Sequence, residues 1–274
     1  PAARAALENV GGCTLVQTNG RGDEARCARE ALDRGATTLV VLGGDGTVSQ
    51  AACELIHAKS QVPLAIFGAG TGNDFADAIG LPVHNYGAIT RLIATNSTRA
   101  VDAGRVNDRT FVNSAGFGFD AEVVARTQRP GGWLKGNAVY VTTALTQLFQ
   151  YSGFAADVKY GTNSTGQQKW LMMVFANGGR FGGTFRIAPD AKIDDGFLDG
   201  VFIGDATALK RTAIFARATG GEHVRYPEVQ VTREMRYEID FSTAPVYQAD
   251  GELFQASSPT VIVENLPAAL RVFA

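Results

Sequence analysis

Two glycine-rich loops are the parts of this chain best suited to chemistry, because each comes directly after an apolar run. Gly43-Gly44-Asp45-Gly46-Thr47 follows Leu39–Leu42, and Gly68-Ala69-Gly70-Thr71-Gly72-Asn73-Asp74 follows Leu64–Phe67. Glycine lets an anion approach the main chain, and the amides at the start of a helix attract phosphate. Since the carboxyl ends of neighbouring parallel strands meet at one edge of a sheet, the two loops are predicted to line one nucleotide-binding crevice.

The polar side chains of these loops admit two interpretations. Asp45 can hold a magnesium ion, and Thr47 can cap the following helix or contact a phosphate. Asn73 or Asp74 can equally be the N-cap of the helix that follows the second loop. Taken alone, each loop therefore fits either a phosphate site or a tight turn with a capping residue.

Carboxylates cluster twice in the second half of the chain. Segment 187–199 places four aspartates around the turn Asp195-Gly196, which fits a hard cation bound by oxygen ligands or a solvated acidic turn. Asp250-Gly251-Glu252 interrupts a strand-like run, where two carboxylates are costly to place unless they turn the chain or act chemically. A hairpin turn is the alternative interpretation of this second cluster.

Several other enzyme signatures lack their context or are absent from the sequence. Gly116-Phe117-Gly118-Phe119-Asp120-Ala121 matches a dinucleotide fingerprint, but no acidic residue occurs between Glu122 and Asp157 to bind a ribose. We therefore interpret it as a packing turn. The sequence has no Gly-x-x-x-x-Gly-Lys loop, no Gly-x-Ser-x-Gly elbow and no metal-ligand spacing among its three histidines, which disfavours P-loop, hydrolase and zinc chemistry.

Composition indicates a cytoplasmic protein of one large or two smaller domains, and we favour two. The 274 residues are 45% hydrophobic, and 25 basic against 27 acidic side chains give a net charge of −2, with no global attraction to nucleic acid. The three cysteines are expected to be reduced, buried thiols. No apolar run approaches the roughly 18 residues of a membrane span, and the N-terminus lacks the apolar core of a signal peptide.

The elements that position the glycine loops are expected to alternate in the first hundred residues. The predicted order is strand Thr14–Gln17, helix Asp23–Arg34, strand Thr37–Leu42, helix Thr47–Ala58 and strand Leu64–Phe67. This alternation is typical of a parallel sheet with crossover helices, an α/β domain of Rossmann-like type.

From about residue 101 to 255 the pattern changes to extended segments, which predicts an antiparallel β-sandwich. The predicted strands are Phe154–Tyr160, Lys169–Asn177, Phe197–Ile203 and Glu228–Phe241, and the predicted helices are 119–127, 136–150 and 206–218. The closing segment is expected to form a strand that returns to one of the halves. We assign residues 1–100 with 263–274 to the α/β domain and 101–262 to the sandwich, with the site in the cleft between them.

Together, four motifs in this order resemble the diacylglycerol kinase catalytic-domain family, which includes bacterial soluble lipid kinases and the sphingosine and ceramide kinases. The motifs are Gly43-Gly44-Asp45-Gly46-Thr47, Gly70-Thr71-Gly72-Asn73-Asp74-Phe75-Ala76, Asp194-Asp195-Gly196-Phe197-Leu198-Asp199 and Asp250-Gly251-Glu252. The resemblance extends along nearly the whole chain. It implies an ATP-dependent lipid kinase with an N-terminal nucleotide-binding domain and a C-terminal β-sandwich.

The resemblance also implies roles for individual residues. Glu252 would accept the proton of the acceptor hydroxyl, with Asp250 beside it, although Asp45 can exchange roles with Glu252. A magnesium site would use the Asp195 side chain and the backbone oxygens of Lys192 and Phe197. The residues expected to contact ATP are Thr18, Gly43, Gly44, Asp45, Gly46, Thr47, Val48, Ser49, Gln50, Thr71, Asn73 and Asp74.

The chain departs from the family pattern at two places. Val48-Ser49-Gln50 stands where the family usually has x-Asn-Glu, so an amide replaces a carboxylate. The family normally opens with a strand and an Asn-Pro-x-Ser-Gly-like loop, and this sequence starts after them, so we expect either residues ahead of it or an unpaired sheet edge.

Partners and acceptor are expectations of the same kind. A lipid at a membrane surface is the expected acceptor, and transient peripheral association would use the helix 206–218 or Trp133, both of which equally fit packing within the domain. An NAD kinase-like enzyme with a soluble acceptor and a non-catalytic nucleotide- or lipid-binding protein are the alternatives. A homodimer is left open.

Overall fold

The structure is a computed structural model that describes residues 13–20, 22–83, 85–127, 148 and 151–274. Helices and strands alternate in its first part, as the sequence predicts. These elements are α1 (Glu24–Asp33), β1 (Leu39–Gly43), α2 (Asp45–His57), β2 (Leu64–Gly68), α3 (Asp74–Ala78) and α4 (Tyr86–Ala94).

The remainder is mostly antiparallel sheet. Its strands are β3 (Thr98–Val106), β4 (Arg109–Phe111), β5 (Ser114–Gly118), β6 (Phe154–Tyr160), β7 (Asn163–Ser164), β8 (Gln168–Ala176), β9 (Leu198–Gly204), β10 (Val229–Glu234), β11 (Arg236–Phe241), β12 (Val246–Ala249), β13 (Glu252–Gln255) and β14 (Thr260–Phe273). Two helices, α5 (Phe119–Thr127) and α6 (Ala208–Ala218), pack on it. The expected α/β region followed by a β-sandwich-like domain is thus confirmed.

Strands β1 and β2 pair in parallel, with Leu39 opposite Leu64 and Gly43 opposite Gly68. Both strands therefore end at the same edge, and the glycine loops that follow them lie side by side, as predicted. Every residue of β2 is buried. Helix α2 covers this pair with its apolar face, because Val48, Ala52 and Leu55 recur at helical spacing.

The long final strand β14 joins the two parts of the molecule. Its first half pairs antiparallel with β11 and β3, and Val272 near its end pairs in parallel with Leu64 of β2. The register of its pairing with β3 shifts between Leu266 and Leu270, so the strand changes direction there. The closing segment accordingly belongs to both halves.

Three apolar clusters account for the interior of the described chain. One lies between β1, β2 and their helices, a second fills the sandwich around Phe117, Phe175 and Tyr237, and a third lies beneath α5 and α6. Helix α6, a candidate for membrane contact, buries Ile214 in this third cluster and also buries Ala218, while Leu209 remains exposed. The buried Arg211 guanidinium donates to Leu148 O and Tyr151 O, so this cation does not face solvent.

Some sequence expectations were wrong. Thr14–Gln17 is not a strand, because residues 13–19 are exposed and lack regular structure. The segment expected as one strand over 228–241 is two strands, β10 and β11. Cys13 is exposed rather than buried.

Other expectations cannot be compared with the structure. Trp133 and all but one residue of the predicted helix 136–150 lie outside the described residues. Within the described part, no helix is both long and apolar enough to cross a bilayer.

Candidate active site

The two glycine loops touch through their backbones. A Cβ placed on Gly70 would lie 2.6 Å from Gly44 Cα, and one on Gly72 would lie 2.8 Å from a carboxylate oxygen of Asp45. Only glycine permits this approach. The first loop (43–47) and the second loop (68–74) therefore form one continuous wall.

Asp45 and Asn73 fasten this wall. The Asp45 carboxylate accepts a hydrogen bond from the backbone N–H of Asn73 at 2.7 Å. The Asn73 side chain accepts a hydrogen bond from the Gly70 N–H and donates one to the Gly70 carbonyl oxygen. Asn73 adopts the left-handed conformation, with φ of 55°, that asparagine tolerates better than most residues. Asn73 thus shapes its own loop rather than capping α3 with its side chain.

The N-terminus of α2 opens into a cleft. Its N-cap is Gly44, which offers no side-chain acceptor to the first-turn amides, so these amides are available to an anion. The cleft lies between this helix start and the Asp250–Glu252 turn. Its lining residues are Glu24, Gly44, Gly46, Thr47, Gln50, Asp250, Gly251 and Glu252.

Asp250 holds the Asp250–Glu252 turn in place. Its carboxylate accepts hydrogen bonds from the amides of Val112, Asn113 and Ser114 at 2.8 to 3.0 Å, and from the Ser49 hydroxyl at 2.6 Å. Burial raises the pKa of this carboxyl, and the Ser49 and backbone donors oppose that shift. Four donors around one half-buried carboxylate suit a residue that fixes the backbone.

Glu252 lies beside α2 on the same turn. The side-chain amide of Gln50 donates to Glu252 Oε1 at 2.8 Å. Ser49 and Gln50, adjacent on α2, thereby bind the two carboxylates that flank Gly251. The helix that presents the first glycine loop also fixes the position of the proposed base.

Asp74 connects the second glycine loop to the sandwich. Its buried carboxylate accepts from the Gly183 amide at 2.9 Å, and Gly72 packs against Gly183. Burial raises the Asp74 pKa to about 6, the Gly183 amide opposes this shift, and the negative charge of Asp45 adds to it. The sequence did not indicate the part played by Gly183.

The acidic turn at 194–197 carries two carboxylates, and because Asp194 is bonded to Arg99, the turn offers Asp195 and peptide oxygens to a cation. Asp195 Oδ1 accepts from the Phe197 amide at 3.1 Å, and Oδ2 lies 3.7 Å from Arg233 Nη1. Among the described residues no three His, Cys, Asp or Glu side chains converge on a metal position. Hard oxygen donors of this kind fit magnesium only if the peptide oxygens of Lys192 and Phe197 contribute.

An apolar pocket lies in the sandwich domain beneath α5 and α6. Aromatic and aliphatic side chains line it, and Asp120 is the one ionisable side chain among them. The other lining residues are Phe119, Val123, Met172, Phe181, Phe185, Ile187, Ile203, Ile214, Phe215 and Ala218. Such a lining suits an acyl chain better than a sugar or a nucleotide.

The structure brings most of the sequence-predicted residues together and leaves a few apart. Val48 faces the core, so only its backbone is available to a ligand, and Gly43 O accepts from the Ala69 amide at 2.8 Å. Thr18 and Thr71 are exposed and are not among the residues that line the cleft.

Sequence reasoning missed two further contributors to the site. Glu24 lines the cleft from the start of α1, and an acidic residue in the first turn of a predicted helix was the available signal. The buried Asn113, whose backbone N–H binds Asp250, follows a short strand and forms with Ser114 a polar pair between apolar residues. That polar pair was its only signal.

Two family models match this chain. The diacylglycerol kinase catalytic domain matches residues 1–106, and the YegS C-terminal NAD kinase beta sandwich-like domain matches residues 113–274. A "Probable lipid kinase YegS-like" protein of Pseudomonas aeruginosa is 31% identical over 263 residues, covering 90% of this chain and 82% of the relative. A diacylglycerol kinase of Mycobacterium tuberculosis is 32% identical over 260 residues, covering 92% and 82%.

Solved structures agree with this fold. A diacylglycerol kinase of Bacillus anthracis superposes with a TM-score of 0.74 at 18% identity, covering 98% of this chain and 87% of that one. An NAD kinase of Archaeoglobus fulgidus, solved in complex with ATP, superposes with a TM-score of 0.56 at 11% identity, covering 100% and 88%. At these identities the likeness concerns the fold alone.

Proposed function

The chain belongs to the family of diacylglycerol kinases and YegS-like lipid kinases, and on that premise we propose that it transfers the γ-phosphate of ATP to a hydroxyl group of diacylglycerol or a related lipid. The observation that carries the proposal is the cleft in which the N-terminus of α2 faces Glu252. A phosphate-binding helix start and a carboxylate that can accept a proton are the two groups that phosphoryl transfer to an alcohol requires.

In this proposal the triphosphate binds at the first glycine loop. The amides of Gly44, Gly46 and Thr47 would donate to phosphate oxygens, and Asp45 would help to hold the magnesium ion that accompanies ATP. Magnesium supplies neutralisation of charge on the β- and γ-phosphates. The second loop supports this arrangement, since Asn73 is bonded to Asp45.

Glu252 would take the proton from the acceptor hydroxyl as the new oxygen–phosphorus bond forms. The bond between the γ-phosphorus and the bridging oxygen of ATP would break in the same transfer and release ADP. The amide of Gln50 aims this carboxylate, and the four donors to Asp250 fix the turn that carries it. We therefore assign Asp250 a positioning role and Glu252 the role of base. Positioning and electrostatics supply most of the rate enhancement in this class of reaction.

A lipid acceptor is favoured over a soluble one by the apolar pocket beneath α5 and α6. Its lining is aromatic and aliphatic except for Asp120, which is the kind of surface that an acyl chain contacts. We also propose that the acidic turn binds a magnesium ion through Asp195 and the peptide oxygens of Lys192 and Phe197. Arg233 already balances part of the charge of this turn, so the ion would be structural.

The test is transfer of labelled γ-phosphate from ATP with magnesium to dispersed diacylglycerol, to other hydroxyl lipids and to NAD, measured in parallel. Label in the lipid extract is expected. Glu252→Gln should lower the rate by about 100-fold or more, as loss of a general base does. Glu264→Gln, at a carboxylate of β14 bonded to Arg105, is the matched control and should retain the wild-type rate.

Two outcomes would overturn the proposal. Label in NADP alone would show a soluble acceptor. Binding of ATP without transfer to any acceptor would show a nucleotide-binding protein without catalytic activity.

A further inference from the structure

The motif at 116–121, which matches a dinucleotide fingerprint, brings Gly116 of β5 against the Asp120 carboxylate of α5. Gly116 lies in β5, and a Cβ there would fall 1.7 Å from Asp120 Oδ2, so glycine leaves the space that the Asp120 carboxylate occupies. Asp120 is in the first turn of α5 and is buried, with 3% exposure. Within the part of the chain that the structure describes, no cationic side chain is bonded to this carboxylate, so it needs other hydrogen-bond donors.

One of the donors to Asp120 is also bonded to a residue of the cleft. Asp120 Oδ1 accepts from the Ala121 amide at 2.8 Å, and Oδ2 accepts from Gln248 Nε2 at 3.1 Å. Gln248, fully buried on β12, uses its other side-chain atom as well, because Oε1 accepts from the Gly251 amide at 2.9 Å. Two hydrogen bonds thus connect Asp120 to the middle residue of the Asp250–Glu252 turn.

The orientation of the Gln248 amide is determined by its neighbours. One end meets a carboxylate, which can only accept unless it is protonated, and the other meets a backbone N–H, which can only donate. A flipped amide would lose both bonds. The turn is therefore held by two elements. Ser49 and Gln50 of α2 bind its two carboxylates, and Gln248 of β12 binds its middle amide.

We propose that Gln248, held by Asp120, is a positioning residue that sets the backbone of the Asp250–Glu252 turn and thereby the direction of the Glu252 side chain. The role of Glu252 as base rests on the proposed function. The support of the turn by Gln248 rests only on the hydrogen bonds described above. Because Asp120 also lines the apolar pocket, the support runs from the wall of that pocket to the cleft.

The test uses Gln248→Met, which keeps the length of the side chain and removes both hydrogen bonds, in the full chain. Thr232→Val is the matched control, because Thr232 is bonded to the Tyr237 hydroxyl at 3.1 Å on the same sheet and makes no contact with the turn. Amide hydrogen exchange of residues 249–253 is measured first. Exchange at Gly251 should accelerate about tenfold or more in Gln248→Met and stay unchanged in Thr232→Val.

Kinetics provide the second measurement. The turnover number of Gln248→Met should fall by roughly 10- to 100-fold, as for a misplaced catalytic group, while the KM for ATP stays within about twofold. Asp120→Asn, which leaves one donor facing another, should accelerate exchange at Gly251 to a smaller extent. This milder variant decides the question if Gln248→Met does not fold.

Unchanged exchange at Gly251 in both variants would overturn the inference, and so would equal acceleration in Thr232→Val. If the wild-type protein phosphorylates no lipid, the proposed function fails by itself. The exchange comparison still decides whether Gln248 supports the turn, so the two failures are distinguishable.

Discussion

The side-chain amide of Gln50 donates a hydrogen bond to Glu252 Oε1 at 2.8 Å, across 202 positions of sequence. Gln50 stands on the helix that begins at the first glycine loop, so one rigid element connects the amides proposed to bind phosphate with the proposed base. The amide is a donor at a position where the family usually has a carboxylate. This difference gives the first prediction.

Gln50→Glu should move the acid limb of the pH profile of kcat/KM to higher pH. Two carboxylates within hydrogen-bond distance do not both ionise readily, so the pair retains a proton and the base is freed only at a pH higher by about one or more. The measurement is lipid phosphorylation between pH 5 and 9. Gln50→Met, which removes the hydrogen bond without adding charge, is the control and should lower kcat without moving the pH profile. Identical pH profiles for Gln50→Glu and wild type would show that residue 50 does not pair with Glu252.

Asp250→Asn should destabilise the protein more than Ser49→Ala does. In either orientation the asparagine NH2 would face a backbone N–H, that of Val112 or those of Asn113 and Ser114. A donor left unpaired there costs about 1–3 kcal/mol, against about 1 kcal/mol for loss of the single serine bond. Urea unfolding monitored by circular dichroism measures both free energies. Equal losses would mean that the backbone donors to Asp250 contribute little.

Gly70→Ala should weaken ATP binding by about tenfold or more, which corresponds to about 1.4 kcal/mol. The new methyl group would lie 2.6 Å from Gly44 Cα and push the first glycine loop away from its position. Titration calorimetry with ATP and magnesium measures the affinity. Gly87→Ala in α4, where the nearest atom would be 3.7 Å away, is the control and should bind ATP as the wild type does.

The pH dependence of stability should change in Asp74→Asn. The Asp74 pKa is raised from 3.8 to about 6, so on increasing pH the unfolded chain ionises first and the folded state loses stability between these values, with no further change above them. Over that window the wild type should lose about 3 kcal/mol relative to the variant, because a tenfold change in proton affinity corresponds to about 1.4 kcal/mol. Unfolding free energies from pH 3.5 to 7 measure this difference, and parallel curves would refute it.

Ala218→Leu should shorten the acyl chains that the enzyme accepts. Ala218 lines the apolar pocket, and a larger side chain there takes up space that a long chain would occupy. The KM for long-chain diacylglycerol should rise relative to that for short-chain substrate, while the KM for ATP is unchanged. Ala216→Leu, on the exposed face of the same helix, is the control. An equal effect in both variants would show that the pocket does not bind the acyl chain of the acceptor.

The local pattern predicted the fold class because hydrophobic periodicity is a local property. The apolar runs before each glycine loop gave β1 and β2, and their parallel pairing followed from the intervening helix. The same approach failed at Thr14–Gln17, where a short run of strand-forming residues is exposed and unpaired in the described chain.

Residue types at short spacing were enough to predict the α/β region, the β-sandwich-like domain and the motifs that can bind phosphate. The folded chain alone reveals that Asp250 is enclosed by four donors, that Gln50 meets Glu252 and that Gln248 connects Asp120 to Gly251. Such contacts join residues far apart in the chain, and no periodicity records them. They depend on how the strands are ordered in the sheet, which packing of the whole chain decides.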